Sequence, residues 1–282
     1  MDFRTIVDIA PSAWTIPACE QMLFVGSCFA SNMGRRFRQQ LFRAEVNPYG
    51  VMYNPASVLH TVERYLAEHE APRVAVITLG TNHVYILKET EQIVDNCQKR
   101  PQALFREEQL TADQCADHLR AAIGLLLKAR SDAHIVLTVS PIRYRKYGFH
   151  GSQLSKATLL LAIEQVMGSG YGESVAYFPS YEIVNDELRD YRFYASDMLH
   201  PSEQAVDYIY ERFAETYFDD GTREFLRQWH PIRLALTHRP LNPDSAEYRQ
   251  FHANALQALE LLRQQYTALP SPNDIIALLN EP

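Results

Sequence analysis

Residues 22–37 read MLFVGSCFASNMGRRF, and this stretch decides the fold. A run of apolar β-formers stops at Gly26, and a four-residue apolar rhythm begins at once. Phe29, Met33, Phe37 and Leu41 fall on one side of a helix. A strand passing straight into a helix is the unit from which layered α/β domains are assembled. The junction itself holds Ser27 and Cys28, two side chains capable of nucleophilic attack.

The alternation recurs along the chain. VAVITL (74–79), HIVLTV (134–139) and VAYF (175–178) are nearly continuous apolar runs, as suits strands buried on both faces of a parallel sheet. Helical periodicity appears near 55–68, 111–129, 154–167 and 202–218. VYILKETEQIVDN (84–96) alternates around a polar centre and predicts a β-hairpin excursion. Beyond about residue 220 no further strand is expected, only a proline-punctuated connector and a long helix opened by an Asp/Ser cap. The expected organisation is one α/β domain over 1–240 with a helical extension over 241–282.

Composition narrows the function. The chain has 282 residues, 46% hydrophobic and 22% charged, which suits one large globular domain with an appendage. A net charge of −7 argues against the basic stripe of a nucleic-acid binder, and the arginines of RRFRQQLFR read as a solvated helix face. No apolar run approaches the roughly 20 residues of a membrane span. The N-terminus, with an acid at position 2, lacks the apolar core of a secretory signal. Cys19, Cys28, Cys97 and Cys115 are far apart with no CxxC, so the expectation is a cytoplasmic protein with reduced thiols and no structural metal.

Ligands of such sheets bind beyond the carboxyl ends of the strands, so the turns after 25, 79, 139 and 178 are the places to look for chemistry. Ser27 stands there either as a nucleophile or as a plain helix cap. Among the ten histidines, His200 has a carboxylate three residues upstream, in Asp197-x-x-His200-Pro201. That spacing lets Asp197 reach Nδ1 and leaves Nε2 for a nucleophile. LGTNHVY (79–85) brings Gly80 and Asn82 to a second strand end, as an oxyanion donor or as ordinary turn formers. Cys28, one step further along the helix, is expected to turn into the core as a small hydrophobe.

Taken in order, the blocks GSCFA (26–30), NPYGVMYNP (47–55), LGTNHVY (79–85), VDNCQK (94–99), TVSPIR (138–143), SKATLL (155–160), YFPSYEIVNDELRDYRFY (177–194) and DMLHPS (197–202) resemble the GSCFA family, within the SGNH (GDSL-like) hydrolases. The resemblance covers about residues 1–240. It implies a flavodoxin-like three-layer α/β/α sandwich with a central parallel sheet, Ser27 as nucleophile, His200 as base and Asp197 orienting it. It further implies an oxyanion hole built from the Ser27 N–H, the Gly50 N–H and the Asn82 side chain. Gln98 stands where the family pattern has histidine. The activity implied is ester hydrolysis, deacetylation of a small-molecule or carbohydrate ester, through an acyl-enzyme and without a cofactor or metal. An O-acyltransferase with the same triad, or a catalytically silent carbohydrate- or acyl-binding module, are the competing readings. His83, Arg143, His150 and Lys156 are candidates to line the substrate crevice, against their reading as solvated charges or satisfied polar groups. Oligomeric state is not legible from these residues.

Overall fold

The computed structural model describes residues 3–97 and 99–280, so Gln98 lies outside the described residues. Five parallel strands form the central sheet: β1 (Gln21–Gly26), β2 (Arg43–Val46), β3 (Val74–Leu79), β7 (His134–Val139) and β8 (Val175–Tyr177). Their order is β2-β1-β3-β7-β8. With the intervening strands set aside, this is the 2-1-3-4-5 order of flavodoxin-like sheets, in which the chain reverses its direction of travel beside β1 and opens a crevice there. Strands β4 (His83–Leu87), β5 (Gln92–Val94) and β6 (Phe105–Gln109) make a separate antiparallel sheet of order β5-β4-β6.

The alternation of side chains along each strand builds the three layers. Leu23, Ile77 and Leu137 face α2 (Pro55–Glu68), α3 (Ala112–Ala129) and α4 (Gly148–Met167), joining one apolar cluster with Val62, Ile123 and Leu159. Phe24, Val76 and Val136 face the other way, against Phe29, Met33 and Phe37 of α1 (Cys28–Gln39) and Val206, Ile209 and Phe213 of α6 (Glu203–Tyr217). A single helical turn, α5 (Ser180–Glu182), follows β8. Among the described residues, no helix is long and apolar enough to cross a membrane.

Three elements differ from the expectation. β2 (RAEV) is a short edge strand with an exposed Arg43, so it carries no apolar run. β6 (FREEQ) completes the hairpin as a third strand with one buried residue, Phe105. The connector expected after residue 220 is a helix, α7 (Asp220–Leu236), which passes through Pro231. Proline removes one N–H from the ladder, but Phe225, Trp229 and Ile232 on one face bury against Leu259 and Leu262 of α8 (Ala246–Gln265) and Ile275 of α9 (Pro272–Leu279). This third cluster also takes in Cys19 and Leu41 of the main body, and the Trp229 indole N–H donates to the Gln39 carbonyl at 2.9 Å.

Gly26 ends β1 at φ +141°, where a Cβ would stand 2.0 Å from the Thr78 carbonyl oxygen. Gly26→Ala is therefore expected to destabilise the chain by about 2–3 kcal/mol. Urea unfolding checks this, and an unchanged midpoint would mean that the close approach of β1 to β3 is not required.

Candidate active site

The close approach at Gly26 fixes what the next two residues do. The Ser27 N–H donates to the Thr78 carbonyl (3.2 Å) and to Thr78 Oγ1 (3.1 Å). Ser27 Oγ accepts from the Phe29 N–H at 3.2 Å, capping α1, and lies 3.3 Å from Thr78 Oγ1. Ser27 is 0% exposed. Where the sequence leads one to expect a nucleophile, the Ser27 side chain is a buried cap and strand tie. Cys28, expected in the core, is instead partly exposed as the first residue of α1, with Sγ 3.9 Å from Tyr53 Oη. Among the described residues, nothing accepts the Cys28 N–H, one of the orphan donors of a helix first turn.

The second group is the turn before α6. Asp197 Oδ1 accepts from the N–H groups of Leu199 (2.9 Å) and His200 (3.0 Å), and Oδ2 lies 2.6 Å from His200 Nδ1. These donors, the His200 backbone N–H foremost, hold the Asp197 carboxyl down at about 2. Asp197 and His200 are 44% and 40% exposed, so the imidazole edge carrying Nε2 is reachable. The turn is locked to its surroundings. The Arg143 N–H donates to the Leu199 carbonyl at 3.0 Å, and Arg143 Nη1 to that of Met198 at 3.1 Å. Arg36 of α1 reaches Asp207 (2.6 Å) and the Glu203 carbonyl (3.1 Å), drawing the start of α6 onto the helix that carries Cys28.

Each expected oxyanion donor has a partner within the fold. Besides the Ser27 N–H, the Gly50 N–H donates to the Asn47 carbonyl at 2.8 Å in an exposed turn. Asn82 Nδ2 donates to the Leu110 carbonyl at 2.7 Å, and Asn82 is 4% exposed. Both donors thus bond within the fold. Lys156 is 2% exposed, and Nζ donates at 2.7 Å to the carbonyls of both Gly80 and Ser140, tying the carboxyl ends of β3 and β7 together from below. His83 is buried with its ring stacked 3.6 Å from Tyr147 and Nδ1 3.5 Å from Glu107, and burial lowers its pKa. His150 is exposed near the start of α4. Arg143 opens on a cavity of about 440 Å³, shared with Tyr181, Asn185, Asp186, Tyr191 and Tyr194. Among the described residues, no group of three or more His, Cys, Asp or Glu side chains could hold a metal ion.

Sequence reasoning missed Thr78, Tyr53 and Asn47. Asn47 Oδ1 accepts from the Gly26 N–H and its Nδ2 donates to Ser31 Oγ, both at 2.9 Å, binding the end of β1 to α1. Its place in the NPYG block was the available signal.

A five-stranded parallel sheet of this order, with its chemistry at the carboxyl edge, defines a flavodoxin-like α/β/α protein. The chain belongs to the GSCFA family: the family's sequence model matches residues 21–73 and 69–213, and that of the GSCFA domain protein C-terminal domain matches 229–279. No curated protein matches it. Similar solved structures include a protein from Lactobacillus plantarum (14% identity, 72% of this chain and 99% of that one, TM-score 0.47). Another is a catalytic mutant of an acetylxylan esterase from Geobacillus stearothermophilus (13% identity, 73% and 97%, TM-score 0.44). A third is a carbohydrate esterase family 3 protein from Talaromyces cellulolyticus (11% identity, 59% and 67%, TM-score 0.36).

Burial lowers the Lys156 pKa from 10.5 to about 7. Between those values the unfolded chain binds a proton that the folded chain lacks, so this group makes stability rise with pH. The difference in unfolding free energy between the unsubstituted chain and Lys156→Met should move in favour of the unsubstituted chain from pH 7 to pH 9, by up to about 1.4 kcal/mol per pH unit. A pH-independent difference would show that the buried amine keeps its proton.

Proposed function

We propose that this chain hydrolyses carboxylic esters with Cys28 as nucleophile, His200 as base and Asp197 as the group that orients His200. The observation that carries the reading is the contrast at the β1–α1 junction: Ser27 is fully buried and satisfied, while Cys28 is open beside Tyr53. The Cys28 thiol attacks the ester carbonyl and passes its proton to His200 Nε2. The carbonyl π pair moves onto oxygen, where the N–H of Cys28, at the positive end of α1, faces it. Collapse breaks the C–O bond, the alcohol leaves with the proton held by His200, and the acyl group stays on sulfur. Water, deprotonated by His200, then releases the acid and restores the thiol.

The cavity beside Arg143 receives the alcohol portion. Its tyrosines together with Asn185 and Asp186 suit a polyhydroxylated leaving group, such as a sugar, better than an acyl tail. Arg143 bonds to the Met198 carbonyl and packs 4.1 Å over the Phe149 ring, which sets this wall next to His200.

The test is p-nitrophenyl acetate turnover with mass mapping of the acetylated residue. Acetyl should appear on Cys28, and Cys28→Ala should lose at least about 10³-fold in kcat/KM, whereas Ser27→Ala should stay within roughly tenfold. Acetyl on Ser27, lost in Ser27→Ala, would reverse the assignment. Asp197→Asn should lower kcat by about 10²-fold or more while the chain stays folded by circular dichroism, since it removes the acceptor that fixes the imidazole tautomer. Retained turnover would take Asp197 out of the mechanism.

A further inference from the structure

With Gly50 and Asn82 committed elsewhere, the Cys28 N–H faces the oxyanion without the partners that the resemblance supplied. The side chain that does meet the nucleophile is Tyr53, whose hydroxyl lies 3.9 Å from Cys28 Sγ. Tyr53 is held from both ends. Its backbone carbonyl accepts from the N–H groups of Gly80 and Thr81, each at 2.8 Å, which fastens it to the loop after β3. Its ring meets Tyr144 edge-on, with centroids 5.8 Å apart. Gly80 makes this packing possible, because a Cβ there would come within 2.5 Å of Tyr144 Oη and 3.1 Å of the Tyr53 carbonyl oxygen. The Tyr53 side of the site is nevertheless open, the residue being 38% exposed.

Resting on the thiol mechanism above, we propose that Tyr53 is a catalytic residue whose hydroxyl joins the Cys28 N–H in holding the oxyanion. When sulfur bonds to the carbonyl carbon, the oxygen that takes the π pair shares that carbon with sulfur, so a hydroxyl beside the sulfur is also beside the oxygen. The thiol proton goes to His200 Nε2, and Tyr53 donates a hydrogen bond without giving up its own proton. Burial foremost, then Cys28, pushes the Tyr53 pKa up to about 12, so the hydroxyl stays protonated across the neutral range. Tyr144 backs the ring. Among the described residues its hydroxyl is buried with no hydrogen-bond partner, so Tyr53 is aligned by ring contact and leaves its own hydroxyl free to turn from sulfur to oxyanion.

The experiment compares two reactions of Cys28 in the full chain. Acylation by p-nitrophenyl acetate develops an oxyanion; alkylation by iodoacetamide displaces iodide and develops none. Tyr53→Phe should slow acylation by about 10²-fold, the usual cost of one oxyanion donor, and leave alkylation within about threefold. Equal loss in both reactions would mean that Tyr53 acts on the thiol and would overturn the oxyanion role, as would no loss in either. Tyr144→Phe, which keeps the ring, should resemble the unsubstituted chain, and a loss as large as that of Tyr53→Phe would assign the donor to Tyr144 instead. An ester that never acylates Cys28 in the unsubstituted chain sinks the nucleophile and Tyr53 together. Acylation of Cys28 that Tyr53→Phe leaves intact sinks Tyr53 alone.

Discussion

The contact between Ser27 and Thr78 is the constraint on which the site depends. β1 and β3 run side by side with Gly26 opposite Thr78, and only a residue without Cβ lets the two backbones come so close. The Ser27 N–H and hydroxyl are consumed against Thr78 and the first turn of α1. With Ser27 fixed inward, the next residue, the first of α1, is partly exposed, and that residue is a thiol. Ser27 satisfies the first turn of α1, where an unpaired buried N–H costs about 1–3 kcal/mol.

The crevice floor is built by a second economy of polar groups. The carbonyls of Gly80 and Ser140 lie just past the ends of β3 and β7, where neither strand continues its ladder. Lys156 reaches both from α4, and the Thr81 hydroxyl meets Ser155 one residue earlier on the same helix at 2.9 Å. The loops that carry Gly80, Tyr144 and Arg143 are thus anchored from beneath the sheet edge. Their upper surfaces remain available to a ligand. A long side chain with at least two N–H donors is needed for this reach, because one group must serve two acceptors 60 residues apart in sequence, Gly80 and Ser140.

Much of this was legible in the chain. Four of the five core strands announce themselves as apolar runs, since burial on both faces leaves no polar alternation to confuse them. The DxxH turn was legible for a related reason: a short spacing between two partners in one turn is a local fact. What was not legible was nonlocal. Whether Ser27 or Cys28 faces the crevice depends on Thr78, 51 residues away. Whether Asn82 is free depends on the Leu110 carbonyl beyond the antiparallel sheet. β2 and β6 escaped notice because edge strands expose one side and carry charge there. Pro231 read as a break because its local cost is evident in sequence, whereas the burial of Trp229 and Ile232 that offsets it is not.

Helix α1 carries Cys28 at one end and is gripped at the other by the C-terminal helices, through Gln39, Leu41 and Trp229. Its 12 residues make a rod of about 18 Å. A rod anchored at its tail acts as a lever: a tilt of about 5° there moves the tip by about 1.5 Å, a displacement large enough to spoil an attack trajectory. The third apolar cluster is therefore a bearing for Cys28 as well as a core, and α7 to α9 contribute to the aim of a sulfur that lies outside their own cluster.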